Sequence, residues 1–236
     1  MKVPTERSLP SGIPATGTER ERSLLQALDS ALDPHQRAGA LWGLMQFYLH
    51  HARRRDLAIA LLDLMRHESV SPERTAIYCV ASGRVEELDE HWSSALAHYE
   101  CGLSFHPKNT RTVYLLYNGL ALCHNRLAQY EEGESYCRRA IEIDGISHHA
   151  YVNLGIALEG RTDIVGAAFS FVEAIHANPE DPLPAQLLKK LLSDYPELLG
   201  ARPWIDGDLG KCGSGAKHML EGQKNGRTDY DLVGTS

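Results

Sequence analysis

The chain has 236 residues, 43% hydrophobic and 23% charged, enough for one or two domains with a sizeable core. Its formal charge is −7, and between Ser23 and Leu199 15 Lys and Arg stand against 23 Asp and Glu, about −8; this excludes the basic footprint that broad nucleic-acid binding needs. No apolar run is long enough to span a bilayer, so no membrane insertion is expected, and the N-terminus Met-Lys-Val-Pro-Thr-Glu-Arg-Ser has no apolar signal segment. Five cysteines (Cys79, Cys101, Cys123, Cys137 and Cys212) make an odd set without a CxxC pair. They read as free thiols in a reducing compartment, and a cytoplasmic location is expected.

Residues 1–17 hold three prolines with Ser, Gly and Thr and no periodicity, and read as a disordered leader. Thr18 and Glu21 form a capping box, and Leu24, Leu25, Leu28 and Leu32 follow as an apolar stripe, which predicts a first helix over about 19–32. Asp33-Pro34 supplies an N-cap and a first-turn proline for a second helix to about His50. After the polar corner Arg53-Arg54-Arg55-Asp56, a third helix covers about 57–67. Ser71-Pro72-Glu73 opens the next, with Tyr78, Ala81, Ser82 and Val85 on its packing face. Trp92, Ala95, Leu96, Tyr99, Gly102 and Leu103 carry its successor up to Pro107, with one extra residue expected in the corner between Val85 and Trp92. The pattern repeats with Tyr117, Leu120 and Ala121, then Tyr130, Gly133, Cys137, Ala140 and Ile141, closing on Gly145. It repeats again with Tyr151, Leu154, Gly155 and Leu158, a Gly160-Arg161-Thr162-Asp163 corner, then Ala167, Phe171 and Ala174, closing on Asn178-Pro179. Pro182 and Pro184 open a tenth helix over about 182–193, apolar at Leu187, Leu188, Leu191 and Leu192 and polar at Lys189 and Lys190. From Gly200 eight glycines fall in the last 37 residues without a period, so 200–236 reads as a flexible tail whose apolar cluster is Pro203-Trp204-Ile205.

The stretch Tyr151–Pro179 resembles one complete tetratricopeptide repeat (TPR): an aromatic, Leu-Gly, a second large residue, a turn, Ala-x3-Phe-x2-Ala and a closing Pro. Units at about 72–107, 108–145 and 146–179 follow, after a degenerate unit at about 34–71 in which Tyr48 occupies a usually small position and His67 replaces the closing Ala. The closing positions Pro72, Pro107, Gly145 and Pro179 are spaced by 35, 38 and 34, and the excess of four predicts an added helical turn around Asn109–Val113. The resemblance implies an all-α fold: a right-handed α-solenoid of antiparallel helix pairs over 18–199, a TPR superhelix with capping helices at both ends. It further implies a concave groove lined by the first helix of each unit. The candidate protein-binding residues are then Asn118, Leu122, Asn125 and Arg126 in the third unit and His149, Val152, Ile156 and Glu159 in the fourth. Cys79, Gly83 and Glu86 are the looser equivalents in the second. Amides and a guanidinium suit a peptide backbone or a carboxylate, and Val152 with Ile156 offers an apolar patch. The two-carboxylate clamp by which some TPR proteins hold chaperone C-termini is incomplete, so a chaperone co-factor is not expected.

Catalytic patterns are missing from the sequence. Gly207-Asp-Leu-Gly-Lys211-Cys212 lacks the first Gly and the final Ser or Thr of a phosphate loop. His50-His51 and His148-His149 are neighbours that point about 100° apart on a helix and do not share an ion, so no metal and no cofactor is expected. No Gly-x-Ser-x-Gly elbow occurs, and Cys123 and His124 diverge on one helix, so no enzyme activity is expected. The basic runs Arg53–Arg55 and Arg138-Arg139 read as solvated faces. The expected function is a non-catalytic adaptor that binds a protein or peptide in the groove. A self-assembling scaffold joined through its ends or tail, with a homo-oligomer as its product, is the first alternative; an accessory subunit of an enzyme complex is the second. The tail around Trp204 is within reach of the groove and is expected to occupy it until a partner displaces it.

Overall fold

A computed structural model describes residues 18–50, 54–68, 71–143, 147–196 and 198. The leader 1–17, Arg53, the closing Gly145, the tail from Gly200 with Trp204, and the Gly207–Cys212 stretch lie outside them. The described residues form ten helices in order: α1 (Glu19–Asp29), α2 (Pro34–His50), α3 (Arg55–Glu68), α4 (Pro72–Leu88), α5 (Trp92–Ser104), α6 (Thr110–Arg126), α7 (Tyr130–Ile143), α8 (His148–Gly160), α9 (Ile164–Ala177) and α10 (Pro182–Asp194). Among the described residues there is no strand. The helices pair as α2/α3, α4/α5, α6/α7 and α8/α9 and stack into a right-handed α-solenoid, with α1 against α2 and α10 against α9.

Side chains start the helices, at Thr18 and Ser71 where the sequence places them and also at Asn109 and Asp163. Thr18, Ser71, Asn109 and Asp163 each accept a backbone N–H three residues on, which satisfies one of the orphan donors of a helix start. Asn109 starts α6 at Thr110, so α6 has 17 residues against 13 in α8. The four additional residues lie at its first turn. Helix α1 stops at Asp29, three residues short of the predicted end. Ser30 turns its hydroxyl onto the Gln26 carbonyl, and Leu32, expected on the apolar stripe, is 94% exposed.

The corners of the pairs α4/α5, α6/α7 and α8/α9 close the same way. Glu90, Ala128 and Thr162 adopt φ of 56, 57 and 65°, and the next N–H reaches back to the carbonyls of Glu86, His124 and Leu158. This is the left-handed helix terminus that glycine usually supplies.

Packing inside a pair depends on small residues opposite large rings. A Cβ at Gly155 would lie 2.4 Å from the Phe171 ring, and one at Gly83 would lie 2.5 Å from the Tyr99 ring. Both glycines precede their ring by the same sixteen residues. The second unit therefore has the register of the fourth, with Gly83 rather than Ser82 at the small position. The extra residue expected from the sequence in this corner is absent: Glu90 and Thr162 each stand seven residues after Gly83 and Gly155, within corners of one shape.

Tyr48 does not turn outward. It is fully buried, edge-on to Phe47, and its hydroxyl donates to the Glu21 carboxylate of α1 at 2.8 Å. Gly43 leaves room for Leu24 of α1, where a Cβ would come within 2.8 Å of its methyl. Helix α1 thus covers the apolar end of the first pair, as a solenoid terminus requires.

Candidate functional site

Along the stack α2, α4, α6 and α8 pack directly against one another in succession, while the second helices of the pairs have no comparable contact with each other. The closer-spaced row forms the inner face of the curve, where the sequence places the candidate residues.

Neutral amides carry two donors and two acceptor sites and are costly to bury unpaired. Asn118, 7% exposed, accepts from Asn153 Nδ2 of α8 at 3.1 Å. Asn125, 6% exposed, donates through Nδ2 to the backbone carbonyl of the same Asn153 at 2.8 Å. Its Oδ1 has no hydrogen-bond partner and rests on Gly133 of α7, where a Cβ would come within 2.1 Å of it. The two amides expected on the groove surface therefore belong to a buried chain, Asn118–Asn153–Asn125, that joins α6 to α8. Its hub, Asn153, is not among the sequence candidates.

The other candidates divide between floor and wall. Val152 is buried, while Leu122, Ile156 and Glu159 are half-buried. Arg126 is exposed and holds its guanidinium carbon 5.2 Å above the Trp92 ring, a cation–π contact between neighbouring corners. His149 is exposed, its ring 3.9 Å from that of His148. Of the looser set, Cys79 and Gly83 are buried and Glu86 holds His91 at 3.1 Å.

With the second unit in its observed register, Arg84 and Glu87 take the places first assigned to Gly83 and Glu86. Tyr99 donates to Glu87 Oε1 at 2.5 Å, and Arg84 Nη1 lies 3.7 Å from Glu87 Oε2. The Arg84 Nε is buried without a hydrogen-bond partner. Burial, then the Glu87 charge, pushes the Tyr99 phenol well above its ordinary value. The sixteen-residue step from glycine to ring is the sequence signal that would have found this pair.

The start of α8 is also tied down. His148 Nε2 makes an ion-pair contact with Asp181 Oδ2 at 3.2 Å, and Asp181 caps α10 by accepting from the Leu183 N–H at 3.0 Å. Burial opposes ionisation of Asp181, but His148 and the Leu183 N–H hold its carboxyl below the ordinary range. On the other side of the solenoid a cavity of about 400 Å³ opens between α7 and α9. It is lined by Ile141, Tyr151, Leu154, Leu158 and the 53% exposed Phe169, with Arg138 and Glu142 beside them.

Among the described residues no group of three or more His, Cys, Asp or Glu is placed to hold a metal ion, and no helix is long and apolar enough to cross a membrane.

The helix pairs, their small-against-large packing and their repeated corners define a TPR-type solenoid. Solved structures of the same form are known. BtubC (BKLC) from P. vanneervenii is 17% identical, and the match covers 92% of this chain and 98% of that one at a TM-score of 0.64. MamA from Desulfovibrio magneticus RS-1 is 16% identical over 80% of this chain and 97% of that one, with a TM-score of 0.53. The TPR domain of Arabidopsis OM64 is 20% identical over 52% of this chain and 99% of that one, with a TM-score of 0.48. At such identities the likeness to BtubC and MamA is one of fold. No protein-family model matches the chain, and no curated protein matches it.

Proposed function

We propose that this protein is a non-catalytic adaptor that holds a segment of another protein against the face formed by α4, α6 and α8. The observation that carries this reading is the division of the candidate residues. Leu122, Arg126, His149, Ile156 and Glu159 remain accessible, while Asn118, Asn125 and Val152 form a fixed floor beneath them. A preformed floor lowers the ordering cost of binding. Apolar side chains flanked by a guanidinium and a carboxylate suit an extended or helical segment with an apolar side chain and polar neighbours.

The variants for the test follow from that division. Asn118 and Asn125 are unsuitable, because changing them perturbs the α6–α8 contact. A Leu122→Lys, Arg126→Ala, Ile156→Lys chain keeps the floor and should remain helical by circular dichroism. A partner retained from lysate by wild type and lost by this variant supports the groove. A partner retained by both refutes it.

A self-assembling scaffold is the second reading, favoured by Val165 and Phe169, which expose apolar surface on α9 beside the outer cavity. Sedimentation velocity over a hundredfold concentration range decides it. A monomer throughout would sink the assembly, and a Phe169→Lys variant that abolishes an observed oligomer would place it on α9.

A further inference from the structure

The outer cavity lies where the preceding unit holds an aromatic ring. Tyr117, Leu120 and His124 of α6 stand 34 residues before Tyr151, Leu154 and Leu158 of α8, which line the cavity. By the same step Tyr136 of α7 corresponds to Ser170 of α9. In the third unit the Tyr136 ring stacks on His124 with centroids 5.3 Å apart and lies 6.0 Å from the Tyr117 ring. The Arg139 guanidinium carbon stands 5.5 Å above it. In the fourth unit Ser170 is 2% exposed and turns its hydroxyl onto the Gly166 carbonyl at 2.8 Å. A hydroxymethyl group at that position leaves the space of a ring open, and the cavity of about 400 Å³ is the result. Its wall is apolar at Ile141, Leu154 and Leu158, with the exposed Arg138 and Glu142 beside them, one turn apart on α7. Such a lining lacks the contacts that a ring would make with it.

We propose that the cavity is a docking site for Trp204, by which the chain's own C-terminal segment supplies the missing ring. Trp204 lies outside the described residues. Leu198, the last of them, is 7% exposed and belongs to the same buried cluster as Leu154 and Leu158. The six residues from Leu198 to Trp204 span at most about 20 Å. Packed helices lie about 8–10 Å apart, so that length is enough to cross α9, which separates α10 from the cavity. Charge agrees with the placement. Arg202 and Asp206 stand two residues to either side of Trp204, and Glu142 and Arg138 at the cavity are their complements. A tethered ring acts at high effective concentration, so one side chain can hold the segment in place. Docked there, the segment covers the α9 surface beside the cavity, where the second reading places self-assembly. A chain that holds Trp204 in this site therefore does not assemble through α9.

The test uses the full chain labelled with 5-fluorotryptophan at Trp42, Trp92 and Trp204. The Trp204 fluorine resonance is the one lost in Trp204→Phe. Docking predicts that this resonance is shielded from solvent, with little shift between water and deuterium oxide. Ser170→Tyr, which builds the ring into α9, should move it to the position it has in urea. The proposal is overturned if wild-type Trp204 already gives the solvent-exposed resonance, or if Ser170→Tyr leaves a shielded one unchanged. It is equally overturned if the shielding is lost on dilution, since the ring would then sit on a second copy. A second measurement on wild type alone keeps the outcome decisive should Ser170→Tyr fail to fold. Nuclear Overhauser effects from the Trp204 indole to the methyl groups of Ile141, Leu154 and Leu158 are expected. Effects to Leu122 and Ile156 instead would put the segment in the inner groove and refute the outer site, leaving the adaptor reading untouched.

Discussion

Asn153 bonds α8 to α6 twice, through its side-chain amide to Asn118 and through its carbonyl to Asn125. Removing the side chain in Asn153→Ala leaves Asn118 Oδ1 buried without its donor. The expected loss is about 1–3 kcal/mol in urea unfolding followed by circular dichroism. Asn118→Ala in the same chain should then cost less than it does alone, because the two residues share one interaction. A second prediction concerns alkali. Burial raises the thiols of Cys123 and Cys137 well above their ordinary values, and the Glu87 and Glu134 carboxylates respectively add to the shift. The folded protein therefore keeps protons that the unfolded chain releases above about pH 8.5. The stability these thiols contribute is complete below that pH and falls as pH rises toward their folded values. Unfolding midpoints measured from pH 7 to 10 should decline, and Cys137→Ala should flatten the decline even if it lowers the midpoint at pH 7. None of this is legible in the sequence, where an asparagine on a helix reads as a surface residue until its neighbour in the next unit is known.

At the scale of elements the corners are the informative feature. Thr162 is β-branched and sits at a φ of 65°, and no tight packing of its side chain explains the choice; its hydroxyl bonds only to the Arg161 carbonyl. A left-handed backbone costs a non-glycine residue about 1–2 kcal/mol. Thr162→Gly should therefore raise the melting temperature by roughly 2–4 °C in a chain of this size, read by differential scanning calorimetry. Gly155→Ala has the opposite sign, since its Cβ would enter the face of the Phe171 ring, fully buried on α9. Overpacking of this kind costs about 1–3 kcal/mol. The difference between these two positions lies in their surroundings. At the corner only the backbone is strained and solvent is near, whereas at the helix crossing neither helix can withdraw without opening the pair. The sequence marks Gly155 through its place beside Leu154, but it does not mark Thr162, because nothing in a Gly-Arg-Thr-Asp corner says which residue turns left-handed.

For the molecule as a whole, stability passes from unit to unit, so the ends carry particular weight. Helix α10 buries Leu188, Leu191 and Leu192 against the last pair, and the Asp181–His148 contact ties its start to α8. A chain ending at residue 180 would expose Phe171, Val172 and Ile175 of α9. Such a chain should aggregate or unfold at lower urea than the full chain, as light scattering and denaturation would show. A truncated chain that stays monomeric and equally stable would deny α10 its capping role. The same order along the stack places the proposed groove near its C-terminal half, where the third and fourth units supply the accessible residues.

Sequence alone determined the helix pairing, the period, the helix starts at Thr18, Asp33 and Ser71, the added turn of α6, and the small-against-large packing of the fourth unit, because these follow from spacing within one or two helices. The row of first helices on which a groove could lie came from the resemblance to a TPR array. Tertiary structure decided which residues of that row are available. It turned Asn118 and Asn125 into a joint between units, exchanged Gly83 and Glu86 for Arg84 and Glu87, and bound Tyr48 to Glu21. The physical reason is that a polar side chain on a helix takes its role from whichever neighbour can satisfy it, and in a solenoid that neighbour lies about one repeat away along the chain.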